Sequence, residues 1–154
     1  MILAIDPGKK IVGWAVFEGS HLSDCGLLRA ETPKEMLMQS DRAGIRDIEW
    51  TEVIVECPQA YTQRDRQKGP QQDLIDIAIV GGLVAGFAVS NMPTITFVHP
   101  HAWKGSVEKD AMSRRILKRL DRVEVAIVER LRPASLVHNA VDAVGLGLWK
   151  LGRL

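Results

Sequence analysis

A chain of 154 residues, 46% hydrophobic and 25% charged, suits one domain with a real core and is too short for two comfortable ones. That composition excludes a disordered chain, and the two cysteines, Cys25 and Cys57, lacking Cys-x-x-Cys spacing, argue against a disulfide framework or a zinc site and read as buried or half-buried thiols. The net charge of +1 decides nothing about a polyanionic partner, but residues 18–56 hold nine acidic and four basic side chains while residues 99–134 hold nine basic and five acidic, so one electropositive face is expected. Met1 runs straight into an apolar strand without a basic region or a small-residue cleavage site, so a cytoplasmic location is expected.

Residues 2–6, Ile-Leu-Ala-Ile-Asp, read as a buried central strand, and Pro7-Gly8-Lys9-Lys10 is tight-turn chemistry leading into a hairpin partner at 11–18. A third strand at 24–30 completes an antiparallel meander. Asp6 therefore stands at the mouth of a sheet, where a carboxylate is costly unless something binds it; a turn aspartate capping its own backbone is the alternative. Thr32 is a good N-cap ahead of Pro33, and Met36, Leu37 and Ile45 follow at helical spacing, which predicts a helix over about 33–46. Val53-Ile54-Val55-Glu56 is a β-branched run stopped by Cys57-Pro58, so Glu56 ends a fourth strand as Asp6 ends the first.

Residues 57–70 read as an exposed basic loop with Tyr61 as its only aromatic. From Gln71 to Ser90 the pattern is helical with little polar surface, which predicts a buried helix or an interface. Asp73 and Asp76 at its start, and an apolar stretch shorter than the roughly 20 residues a span requires, argue against a membrane helix. Gly81, Gly82, Ala85 and Gly86 fall on or near one side and predict tight packing, across a dimer if not within the chain. Residues 94–98 form a fifth strand, followed by a loop at 99–105, helices at 107–120 and 123–131, and after Pro133 a final apolar helix at about 135–150. A meander followed by alternating helices and strands implies a mixed sheet with helices on its faces.

Asp142 interrupts that last apolar helix, with His138 four and Asn139 three residues earlier, within reach of one ligand. An Asp142–His138 pair, or a plain solvent face, would account for this stripe taken alone. Two strand-end carboxylates and one on a packed helix would repel if the fold brought them together. Hard divalent cations such as Mg²⁺ or Mn²⁺ stabilise clustered carboxylates, and two such ions about 4 Å apart support phosphodiester hydrolysis.

The Ile-Asp-Pro-Gly strand, the strand-ending Glu56 and the terminal Asp142-Ala143 helix resemble the RuvC family of Holliday junction resolvases, and the resemblance covers essentially the whole chain. It implies an α/β, RNase H-like fold, a mixed five-stranded sheet flanked by helices, with residues 1–154 as a single nuclease domain. It also implies a homodimer that cuts paired strands of four-way DNA junctions, with two Mg²⁺ (or Mn²⁺) ions per site held by four side chains. Asp6, Glu56 and Asp142 match three of these; the fourth position, three residues before the last aspartate, holds Asn139, which offers an oxygen without charge, and His138 could substitute. By the same resemblance Lys104 stands for a catalytic basic residue close to the scissile phosphate, and Tyr61 for a residue intruding near the junction centre. Arg114, Arg115, Lys118 and Arg119 suit phosphate contacts, although a lone charge run is usually a solvated face; Lys9, Lys10, Arg64, Arg66 and Lys68 extend the expected DNA surface.

Rival readings are the two-domain sugar kinase, actin and chaperone ATPases, whose first hairpin is similar but whose nucleotide cleft needs more chain than this, a catalytically quiet junction-binding module suggested by Asn139, and an RNase H-like nuclease acting on RNA.

Overall fold

The computed structural model describes residues 1–59, 71–89 and 93–154. β1 (Ile2–Asp6), β2 (Ile11–Glu18) and β3 (His21–Arg29) form the expected meander, with Ile5 opposite Trp14 and Asp6 opposite Gly13. α1 (Pro33–Arg42) starts where Thr32 accepts a hydrogen bond from the Glu35 amide at 3.2 Å, and it ends four residues before the predicted stop. Gly44, at φ 68°, turns the chain there, and Ile45 enters the core from the turn rather than from the helix. β4 (Glu52–Glu56) lies parallel to β1, α2 (Gln71–Ala88) follows, and β5 (Thr94–Val98) lies parallel to β4 at the sheet edge. The sheet order is β3-β2-β1-β4-β5, the mixed five-stranded arrangement that the pattern predicts.

The segment after β5 departs from the expected loop. Residues Pro100–Lys104 form a short helix, α3, with proline in its first turn and Gly105 at φ 59° closing it. α4 (Lys109–Leu117), α5 (Arg122–Glu129), a 3₁₀ turn at Ala134–Leu136 and α6 (Val137–Lys150) complete the chain.

The period of two divides the strands between two cores. Leu3, Ile5, Val53 and Val55 point to the face covered by α1 and α2. Ala4, Ala15, Phe17 and Ile54 point to the opposite face, where they pack with Met112 and Ile116 of α4, Val128 of α5 and the buried flank of α6. α6 is anchored at its far end by Lys150, whose ammonium lies 2.6 Å from Glu52 at the start of β4. The eight residues from Asp142 to Lys150 span about 12 Å of helix, and the four from Glu56 to Glu52 about 13 Å of strand, so this pairing sets Asp142 beside Glu56.

α2 buries Val80, Gly81, Val84, Ala85 and Ala88 against the sheet and α1. It is long and apolar enough to cross a membrane by length and composition alone, a test that core helices also pass. The expected one-sided glycine stripe divides: Gly81 lies against Pro7 and Val55, whereas Gly82 and Gly86 meet nothing among the described residues. The two cysteines are free, Cys25 buried and Cys57 half-buried, and burial followed by the Asp24 charge pushes the Cys25 thiol up to about 12.

Candidate functional site

Asp6 follows Ala4, and Glu56 follows Ile54, by two residues, so the alternation that sends Ala4 and Ile54 to the α6 face sends both carboxylates there too. The parallel register that pairs Ile5 with Val55 sets these acids side by side at the ends of the two central strands. The second turn of α6 brings Asp142, only 8% exposed, and α3 brings Lys104. The Lys104 ammonium lies 3.0 Å from Oε2 and 3.4 Å from Oε1 of Glu56, and 3.6 Å from Oδ2 of Asp142. It also sits 4.6 Å above the Trp103 ring, a cation–π seat. The Trp103 indole N–H donates to Oε2 of Glu56 at 2.7 Å, which fixes the carboxylate plane and leaves Oε1 the less committed oxygen.

Burial, then the neighbouring charge of Glu56, and more weakly that of Asp142, hold the Asp6 carboxyl well above the ordinary range, against the opposing pull of Lys104 and Lys109. Burial disfavours the charged form of Lys104, but Glu56, Asp142 and Asp6 together outweigh it and raise the ammonium. The Asp6 anion thus stays disfavoured even with Lys104 nearby.

Asn139 lies on α6 three residues before Asp142. Its side-chain amide donates to the Leu136 carbonyl at 3.2 Å, which leaves Oδ1 to offer a ligand. Nδ1 of His138 is 3.0 Å from the Ser135 carbonyl; with the proton on Nδ1, Nε2 remains free. The Asn139 backbone carbonyl presses on Gly13, the β2 partner of Asp6: a Cβ at Gly13 would come within 2.0 Å of that oxygen. This close approach seats the start of α6 beside the end of β1.

The other predicted residues fall differently. Lys9 is held by Asp73 at 2.7 Å and Asp76 at 2.9 Å, tying the β1–β2 turn to α2, and Lys10 pairs with Glu31, so both cations are engaged with acids of the chain. Arg114, Arg115, Lys118 and Arg119 line one open concavity of about 420 Å³ with Ala111. A second concavity, of about 480 Å³ and bounded by Ser106, Lys109 and Met112, opens onto Lys104 and Asp142, so α4 links the carboxylates to the basic cluster. Tyr61, Arg64, Arg66 and Lys68 lie outside the described residues.

Sequence reasoning missed Trp103, Lys109 and Gly13. Gly13 left a signal, since a glycine inside a strand often marks the close approach of another backbone. Trp103 and Lys109 left none, because their roles depend on where α3 and α4 pack.

The donor set suits a hard divalent cation: carboxylate and amide oxygens, with an ammonium already drawn among them. Among the described residues, the trio of ligand atoms all within 4.8 Å of one another is a different one, His21, Asp121 and Glu124, at the opposite end of β2. There Glu124 is taken up by the Leu22 amide, the Asp121 amide and Arg153. The Asp6–Glu56–Asp142 group is more widely spaced, with the Lys104 ammonium between Glu56 and Asp142.

The fold is a five-stranded mixed sheet with acids at the ends of its central strands and on a covering helix. Among solved structures, the chain is similar to T. thermophilus RuvC in complex with a Holliday junction substrate, at 15% identity and a TM-score of 0.65, over 99% of this chain and 96% of that one. It is similar also to a second Thermus thermophilus RuvC structure, at 16% identity and a TM-score of 0.58, over 99% and 96%. The yeast mitochondrial Holliday junction resolvase Ydc2 aligns at 10% identity and a TM-score of 0.49, over 99% and 81%. No family model matches the sequence, and no curated protein matches it. The likeness is one of fold: the chain has the RuvC-like α/β architecture expected from its sequence.

Proposed function

We propose that this chain is a divalent-metal-dependent endonuclease of branched DNA, a Holliday junction resolvase that cuts paired strands of a four-way junction as a homodimer. The observation that carries this reading is the meeting of Asp6, Glu56 and Asp142, from β1, β4 and α6, around the Lys104 ammonium. The substrate class rests on the similarity of fold to a RuvC structure that holds a Holliday junction substrate.

Asp6, Glu56 and Asp142, with the Asn139 oxygen as a neutral fourth donor, are the residues that would hold Mg²⁺ or Mn²⁺, two ions per site; His138 is the alternative fourth donor. Bound there, the ions would activate water and stabilise the leaving oxygen of a phosphodiester. The protein's own groups do the rest. Trp103 orients Glu56, Lys104 supplies a cation for charge developing on the scissile phosphate, and the α4 cluster of Arg114, Arg115, Lys118 and Arg119 grips the DNA backbone leading away from the site. Residues 1–154 act as one nuclease domain in a cytoplasmic setting, with Tyr61, Arg64, Arg66 and Lys68 as candidate junction contacts.

The homodimer is supported by an apolar surface on the α2 side of the sheet. Ile75 and Ile79 are 53% and 58% exposed, and Phe97 of β5 is 58% exposed. Gly82 and Gly86 each weaken the helix by about 1 kcal/mol relative to alanine, and among the described residues neither has a neighbouring atom that requires a glycine. A second α2 packed against this stripe would require the small residues and cover the isoleucines.

The deciding experiment is cleavage of a synthetic four-way junction in Mg²⁺ or Mn²⁺. Paired nicks by the wild type, abolished in Asp6→Asn with junction binding retained, are the expected result. A second reading, a junction binder that cuts weakly or not at all, is favoured by the uncharged Asn139. Asn139→Asp should raise cleavage, and an Asn139→Asp protein that is folded yet cuts no branched DNA would sink the resolvase reading.

A further inference from the structure

Three carboxylates gathered at one end of the sheet are unstable without a positive charge among them, and here that charge comes from the chain. Lys104 is the last residue of α3, and its ammonium touches both oxygens of Glu56 and one of Asp142. Trp103, on the same short helix, supports the cation from below with its ring and holds Glu56 from the side with its indole N–H. A divalent ion approaches carboxylate oxygens to about 2 Å, and an ammonium bonded to those same oxygens stands in its way both sterically and electrostatically. Lys104 also has somewhere to go: it borders the open concavity bounded by Ser106, Lys109 and Met112, and its four-carbon stem is followed by the Gly105 turn.

We infer that Lys104 is the resident counter-cation of the carboxylate site, occupying it before metal does and competing with divalent cations for the oxygens of Glu56 and Asp142. Lys104 thereby sets the metal concentration at which the site fills. This role rests on the metal-site reading above and adds to it. The residue that would later face the phosphate first guards the fold against its own acids, and metal entry is an exchange of one cation for another.

The test is calorimetric titration of metal-free protein with Mn²⁺, without DNA. Lys104→Met should bind Mn²⁺ on the order of tenfold more tightly than the wild type, because a competing unit charge has been removed. In EDTA the same variant should melt below the wild type, and saturating Mn²⁺ should close that gap. Acetylation of Lys104 by an amine-reactive ester, read by mass spectrometry, should rise in the wild type when Mg²⁺ is added. Equal or weaker Mn²⁺ affinity in folded Lys104→Met, or Lys104 acetylation indifferent to Mg²⁺, would overturn the inference. Lys104→Gln, which keeps a donor for Glu56, answers the same question if the methionine variant does not fold. Asp6→Asn separates the two levels: if the wild type binds Mn²⁺, Asp6→Asn does not, and Lys104→Met matches the wild type, only this inference fails. If neither wild type nor Lys104→Met binds Mn²⁺, the metal-site reading fails with it.

Discussion

At the scale of single residues, the candidate site trades stability for chemistry. Asp6 is crowded by burial and by Glu56, so its raised folded-state carboxyl favours the fold when protonated and penalises it when charged. Its contribution is full at pH below the ordinary aspartate value and is lost as pH rises through the raised one. Asp6→Asn should therefore melt higher than the wild type in EDTA at neutral pH, by about 2–4 °C for each kcal/mol relieved, with the gap shrinking in acid. A lower melting temperature for Asp6→Asn at pH 7.5 would show that the carboxylate is structurally needed. Trp103→Phe keeps a ring beneath Lys104 and deletes the N–H that orients Glu56. A hydrogen bond to a charged group is worth about 1.5–3 kcal/mol, so single-turnover cleavage should slow by about tenfold or more while junction affinity, measured in Ca²⁺ or EDTA, stays unchanged. Asp6 and Glu56 were legible because a carboxylate ending an apolar strand breaks a pattern. Trp103 was not, since nothing in a His-Pro-His-Ala-Trp-Lys segment says that the indole will turn toward a strand end 47 residues earlier.

Among the elements, α6 decides whether a site forms at all. Its register is held at one end by Lys150 on Glu52 and at the other by the contact of the Asn139 carbonyl with Gly13. Gly147 repeats the device, since a Cβ there would meet the Phe17 ring at 2.0 Å. Gly13→Ala should cost about 1–3 kcal/mol by overpacking, and by pushing the start of α6 off the sheet it should weaken Mn²⁺ binding; chemical denaturation and calorimetry would read the two effects. α5 is clamped by other means. Arg153 first, with the amides of Leu22 and Asp121, draws the Glu124 carboxyl down to about 2. A depressed folded-state carboxyl stabilises the protein above its unfolded value and loses that contribution as pH falls from about 4.5 toward 2. Arg153→Ala, which strands a buried carboxylate, should destabilise the protein by about 3 kcal/mol at pH 7 and flatten the loss of stability on acidification, as followed by urea melts. The helical pattern of residues 137–150 was readable, but neither this depth of seating nor the Arg153 clamp was, because both are contacts between residues far apart in the chain.

For the whole molecule, the sheet separates two surfaces. One side offers the apolar flank of α2 with Phe97, the other the carboxylates and the basic cluster of α4. A dimer joined through α2 would keep both carboxylate sites clear of the interface, as cutting two strands requires. Ile79→Glu should convert a species of twice the chain mass into a monomer by light scattering without unfolding it. Replacing Arg114, Arg115, Lys118 and Arg119 with alanine should weaken junction binding across all sequences, and it should lower the slope of log affinity against log salt by about 0.7–0.9 for each phosphate no longer neutralised.

By itself the sequence determined the five strands, the mixed sheet and three of the acids, because these follow from local patterns: alternation, β-branched runs and polar residues that interrupt apolar ones. Only the tertiary structure decided that the acids meet, that Lys104 stands among them and Trp103 braces them, and that Lys9 and Lys10 are engaged by acids of their own chain. The physical reason is range. Periodicity acts over neighbouring residues, whereas charge pairing and close packing act across a few ångströms of space, and in a β-sheet covered by helices those few ångströms join residues a hundred or more positions apart.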